Sequence, residues 1–203
     1  MPAPDLQRAR HYVLQRLENE LSPALVYHSI AHTRDDVVPA AERLAGLEGI
    51  QGEDLVLLLT GAYFHDIGFV VQRQDHESFS KKIARDALPQ FGYSPAQIEV
   101  VVNMIEATRL PQSPRNLLEE ILTDADLDVL GRADFMRGSL ALRNELAAFG
   151  EPHSDKDWYI IQVEFLSAHR YFTQAARRLH DAQKARNIES MKQLLAAVPE
   201  TGG

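Results

Sequence analysis

The stretch "LVLLLTGAYFHDIGF", residues 55–69, is apolar on all sides as far as Phe64 and then sets His65 beside Asp66. A segment without a polar face suits a central helix covered by its neighbours. A carboxylate at the end of such a helix is rarely buried unless it is paired or binds a metal. Asp66 therefore needs a partner, and His65 stands next to it.

Working outward, helical spacing recurs and alternating strands do not. Leu6, Tyr12, Val13, Leu17 and Leu21 predict a helix over 5–21, ended by Ser22-Pro23. Val37, Ala41, Leu44 and Ala45 predict one over 29–46, and the apolar segment spans 53–66 with Gly68 as its stop. A charged amphipathic helix over 76–90 is capped by Asp75. Ser94, Pro95 and Gln97 read as a capping box before Ile98, Val101, Val102 and Ile105. Two prolines make 109–116 a loop. Helices follow over 117–130 and 134–149, and two more between Lys156 and about Ala197. The fold class is all-α.

Composition bounds the function. The chain has 203 residues, 45% of them hydrophobic, enough for a sizeable core. The formal net charge of −8 disfavours long nucleic acid and anionic membrane surfaces as partners, but a local cation can still invert the field in one pocket. Cysteine is absent, which removes disulfides and thiolate metal sites. No secretory segment opens the chain and no apolar run has bilayer length, so a cytoplasmic location is expected.

A second carboxylate comes from "LTDADLDVLG", residues 122–131. At about 100° per residue, Leu118, Ile121, Leu122, Ala125 and Val129 share one helix face. Asp126 falls on the edge of that face, while Asp124 and Asp128 fall on the opposite edge and are expected to be a solvated acidic rim. Two half-buried carboxylates and His65 suggest one shared divalent ion; carboxylate oxygens with imidazole nitrogens suit manganese, iron, nickel, cobalt or zinc. A fourth ligand is wanted, and "YHSIAHT", residues 27–33, offers His28 and His32, which share a face if a helix runs through both.

The ordered set His32, His65-Asp66 and Asp126 resembles the HD superfamily of metal-dependent phosphohydrolases. Its local phrasing, with "HE" at 76–77, "IEAT" at 105–108, "LRNEL" at 142–146 and "KARNI" at 184–188, looks like the uncharacterised bacterial branch of predicted HD phosphohydrolases. The resemblance implies one HD-type helical domain over 1–198, with a core of about 24–131 and further helices over about 134–198; the composition of "PETGG" makes 199–203 a disordered tail. It implies His32, His65, Asp66 and Asp126 as ligands of one divalent ion, with magnesium added to the ions above. It also implies hydrolysis of a phosphate ester of a small metabolite or nucleotide by metal-activated water, with Asp66 helping to orient that water.

Departures narrow this. The acidic pair that follows HD in guanosine tetraphosphate hydrolases is replaced by "HDIGFVVQ", and the GYP-type segment of the cyclic-dinucleotide branch is missing. Thr108 stands where two-metal members place a histidine, and His76 alone gives little support for a second ion.

Among the remaining polar residues, Glu77 is a candidate general base or water-holder, although "DHESFSKK" is also an ordinary helix start. His28 contacts substrate phosphate or braces His32. Arg34, Lys81 and Arg109 are candidate phosphate grips, against the plainer reading of solvated charges. Trp158, Tyr159 and Phe165 read as a core stripe, and Arg143 and Glu145 as helix-surface or interhelical pairs. An exposed amphipathic C-terminal helix pair would suit a homodimer. The rival functional reading is a metal-containing sensing or protein-interaction domain without hydrolase activity.

Overall fold

A computed structural model describes residues 4–199. Among these residues there are nine α-helices and no strand, as the periodicity predicts. In order they are α1 (Leu6–Glu20), α2 (Val38–Leu47), α3 (Gly52–Phe64), α4 (His76–Ala87), α5 (Pro95–Thr108), α6 (Leu117–Asp126), α7 (Phe135–Ala148), α8 (Asp155–Ala168) and α9 (Gln174–Ala197). No helix among the described residues is long and apolar enough to cross a membrane. Of the tail expected over 199–203, all but Pro199 lies outside the described residues.

Local chemistry sets most helix ends. The Ser94 hydroxyl accepts from the Gln97 N–H, and the Gln97 side chain accepts from the Ser94 N–H, completing the capping box. Asp5, Asn116, Ser154 and Thr173 cap α1, α6, α8 and α9, each side chain accepting from a backbone N–H of the first turn. Asp75 departs from expectation. It sits at φ +58° and caps no backbone N–H; its carboxylate instead meets the Ser78 hydroxyl and Arg109.

Helix α3 is central, packed against α1, α2, α5 and α6. Leu57, Leu58, Ala62 and Phe64 are buried on it, each contributing about 1.5–3 kcal/mol for a large side chain and less for alanine. They join Val13, Leu44, Val101, Ile105, Ile121 and Leu122 in one core. A smaller core of Leu130, Phe135, Leu166 and Met191 ties the C-terminal helices to the turn after α6.

Three boundaries differ from the sequence reading. The helix predicted over 117–130 ends at Asp126, and a separate 3-10 turn covers Asp128–Gly131. The helix predicted over 76–90 passes into a 3-10 turn at Leu88. The helix around His32 is widened into a π segment over His32–Val37 before α2. Pro39 cannot donate to the carbonyl of residue 35 and its ring crowds it, so the ladder cannot run as a regular α-helix into Pro39. His28 lies ahead of this helix, so the two histidines do not share a helix face.

Candidate metal centre

Helix α3 stops at Phe64, and Asp66 leaves the helical region at φ −106°, ψ 4°. The turn aims His65 and Asp66 back beneath the helix end. His32 arrives from the π segment and Asp126 from the last position of α6. His32 Nε2 lies 3.3 Å from Asp126 Oδ1 and 3.6 Å from Asp66 Oδ2. His65 Nε2 lies 3.3 Å from Asp66 Oδ2 and 3.5 Å from Asp126 Oδ1. One donor atom from each of His32, His65 and Asp66 falls within 4.8 Å of the others. The four residues named from the sequence thus meet at one point.

His32 and Asp126 bond to each other, while other donor atoms of the cluster stay unsatisfied. His65 Nδ1 donates to the Ala62 carbonyl at 2.8 Å, which leaves the Nε2 lone pair facing the cluster. His65 Nε2 and Asp66 Oδ2 are both buried and have no hydrogen-bond partner. Such orphaned atoms cost free energy unless something satisfies them. Two imidazole nitrogens and two carboxylates fit a borderline divalent ion.

The electrostatics agree. Burial pushes the Asp66 carboxyl up, but His65 and His76 outweigh it and hold it well below the usual range. Asp126 is likewise raised by burial and lowered more strongly by His32 and His65. Burial lowers the His65 imidazole, yet Asp66 and Asp126 bring it out well above its ordinary value, so the positive charge between the carboxylates is a proton on Nε2 that a bound ion would replace. Asp66 is buried and Asp126 half-buried.

The cluster opens into a cavity of about 430 Å³. His28 lines it. Glu145 of α7 accepts from the Tyr27 and His28 N–H groups and pairs with His28 Nδ1 at 2.5 Å. The His28 ring lies edge-on to that of His32, with centroids 5.9 Å apart. Phe69 stacks between His28 and His76, at 4.5 and 4.0 Å. Glu77 and Arg109 also line the cavity, 3.6 Å apart, and Arg109 is further tied to Asp75 and Glu106.

Several expectations fail. Arg34 is exposed, pairs with Asp35 and is absent from the cavity wall. Lys81 pairs with Glu106 and is also absent from that wall. Asp124 and Asp128 are buried, not solvated. Asp124 accepts from the Phe172 and Thr173 N–H groups and the Thr173 hydroxyl, each at 2.8 Å. Asp128 pairs with Arg43 at 2.5 Å and His180 at 2.7 Å. Gly68 does not end α3. A Cβ there would meet the His76 carbonyl oxygen at 1.9 Å, so its role is to let α4 approach. That approach brings His76 Nε2 to 3.2 Å from Asp66 Oδ1, a contact the site assignment omitted although "HE" at 76–77 signalled it.

The HD domain family model matches residues 26–128. The chain belongs to the HD domain family. Three solved structures share the fold of this HD protein beyond the matched segment. A predicted HD superfamily hydrolase from an uncultured Thermotogales bacterium is 24% identical with TM-score 0.61, covering 95% of this chain and 92% of its own. Bacillus subtilis YpgQ in complex with ADP is 19% identical with TM-score 0.68, covering 96% and 95%. A Lactobacillus plantarum protein is 17% identical with TM-score 0.68, covering 96% and 98%. No curated protein matches the sequence.

Proposed function

We propose that this HD protein is a metal-dependent phosphohydrolase acting on a small phosphorylated compound, with nucleotides the first class to test. The observation that carries the reading is the pair of buried, unpartnered atoms His65 Nε2 and Asp66 Oδ2 in a four-residue donor set at the mouth of a cavity. His32, His65, Asp66 and Asp126 would hold one divalent ion. Such an ion supplies a Lewis acid for a phosphoryl oxygen and lowers the pKa of water.

The chain's own groups take the remaining roles. Asp66 Oδ1 is steadied by His76, which leaves Oδ2 on the donor side. Glu77, partly turned to Arg109, is the carboxylate placed to accept a proton from water in the cavity. His28, its ring fixed by Glu145 at Nδ1, lines the cavity as a contact for a phosphate oxygen. The nucleotide class draws support from the cavity size, which lies in the range for small-molecule sites, and from a relative of like fold solved with ADP.

The test is elemental analysis of protein purified without added ions, followed by a phosphate-ester and nucleotide panel with the ion found. Stoichiometric metal and a hydrolysed substrate are expected, with activity abolished by Asp66→Ala and by His65→Ala. A metal-containing sensing domain is the second reading, favoured by the engagement of Glu77 and Arg109 with each other. Tight metal binding with no hydrolysis across the panel would select it.

A further inference from the structure

The cavity has two chemically distinct ends. One holds the donor set. The other is walled by Leu130, Phe135, Leu142 and Phe165, and contains two buried polar side chains, Ser139 of α7 and Gln162 of α8. Neither residue touches the donor set, and the metal-site reading makes no use of them.

These two are linked in a fixed order. The indole N–H of Trp158 is 3.0 Å from Ser139 Oγ, and an indole can only donate. Ser139 therefore accepts from Trp158. Its single proton goes to Gln162, whose Oε1 lies 3.2 Å away and is its only acceptor among the described residues. The relay settles which way the amide faces: the oxygen is used, and the NH2 group is left over. Gln162 is only 6% exposed, yet its Nε2 has no protein acceptor among the described residues and the side chain lines the cavity. The amide nitrogen is not sealed from the cavity, so its N–H groups meet water there and are open to a ligand acceptor in its place.

We infer that Gln162 is a specificity-determining residue: its amide N–H, oriented by Trp158 and Ser139, donates to a hydrogen-bond acceptor on the organic part of the ligand. The selected class is a phosphate ester whose organic group is flat and largely apolar but carries a carbonyl oxygen or ring nitrogen, as a nucleobase does. A simple alkyl phosphate would leave the amide unpaired. This rests on the reading of the cavity as the substrate site, with the phosphate at the donor set.

Calorimetric titration tests it, using the protein with the ion it carries. The probes are the methylene-bridged analogues of ADP, GDP, CDP and UDP, which resist hydrolysis, and methylenediphosphonate, which lacks any organic group. Wild type is expected to bind at least one nucleotide analogue more than about tenfold tighter than methylenediphosphonate. Gln162→Met and Gln162→Glu should each weaken that analogue about 10–100-fold and leave methylenediphosphonate unchanged. Gln162→Glu keeps the size of the side chain, so a loss shared by both variants reports the donor rather than packing. Equal loss for both probes, no loss in the Glu variant, or a wild type that prefers no analogue would each overturn the inference. Absence of hydrolysis alongside Gln162-dependent binding would overturn the hydrolase reading alone.

Discussion

Asp124 and Asp126 stand two positions apart on α6 and serve different parts of the molecule. Asp124 ties down the backbone at Phe172 and Thr173, whereas Asp126 reaches His32 at 3.3 Å. One is a structural acceptor and the other a candidate ligand.

The two should therefore fail differently when neutralised. Asp126→Asn is expected to lower metal occupancy by tenfold or more, on the order of what a missing ligand partner costs, with a small change in melting temperature. Asp124→Asn should keep the metal and lose about 1–3 kcal/mol of stability, since an amide cannot accept from all three donors at once. Elemental analysis and thermal unfolding of both variants separate the outcomes. Equal metal loss would contradict the assignment.

Removing the ion should destabilise the fold. A cation at 100 times its dissociation constant stabilises by about 2.7 kcal/mol when it binds only the native state. Chelation is expected to lower the melting temperature, and the ion found by elemental analysis should restore it. Asp66→Ala protein should show no such response.

Gly68 sets the approach of α4. Gly68→Ala forces a Cβ against the His76 carbonyl, and a cost of about 1–3 kcal/mol is expected from the backbone shift. The same shift should separate His76 from Asp66 and weaken metal binding. Urea unfolding together with metal titration checks both effects; a neutral substitution would mean the close approach is unimportant.

His169 gives a pH dependence away from the metal. Burial, aided by Lys184 and Arg170, pushes its imidazole down from 6.5 to about 4. Between those values the unfolded chain takes up a proton that the folded chain does not. The contribution is complete above about pH 6.5 and is lost as pH falls towards 4, by about 1–2 kcal/mol because the ring keeps some contact with water. His169→Gln should flatten the stability curve in that window. An unchanged slope would show that the ring is not held neutral.

The helical class, His65-Asp66 and Asp126 had local signatures: an all-round apolar helix, an adjacent His-Asp pair, a helix-edge aspartate; between His28 and His32 only the family resemblance chose. The angular reading of α6 turned Asp126 towards apolar surroundings and Asp124 and Asp128 towards water, whereas the structure buries Asp124 and Asp128 and leaves Asp126 partly exposed beside His32. A helical wheel knows only its own helix; the segment that buries Asp124 and Asp128 arrives from Phe172, Thr173 and His180. Arg34 and Lys81 were free cations on paper and are held by Asp35 and Glu106 in space. Glu145 and Gln162 have no motif. Their roles depend on which turn of α7 or α8 faces the cavity, which the packing of the C-terminal helices decides.

The two ends of the cavity are supplied by separate lengths of chain, the donor set by residues up to Asp126 and the far wall largely by residues from Leu130 onward. Under the proposed function, reaction and selectivity would be written in different places, and substitutions on α7 and α8 would retarget the protein to another compound while the cation's seat stays as it is.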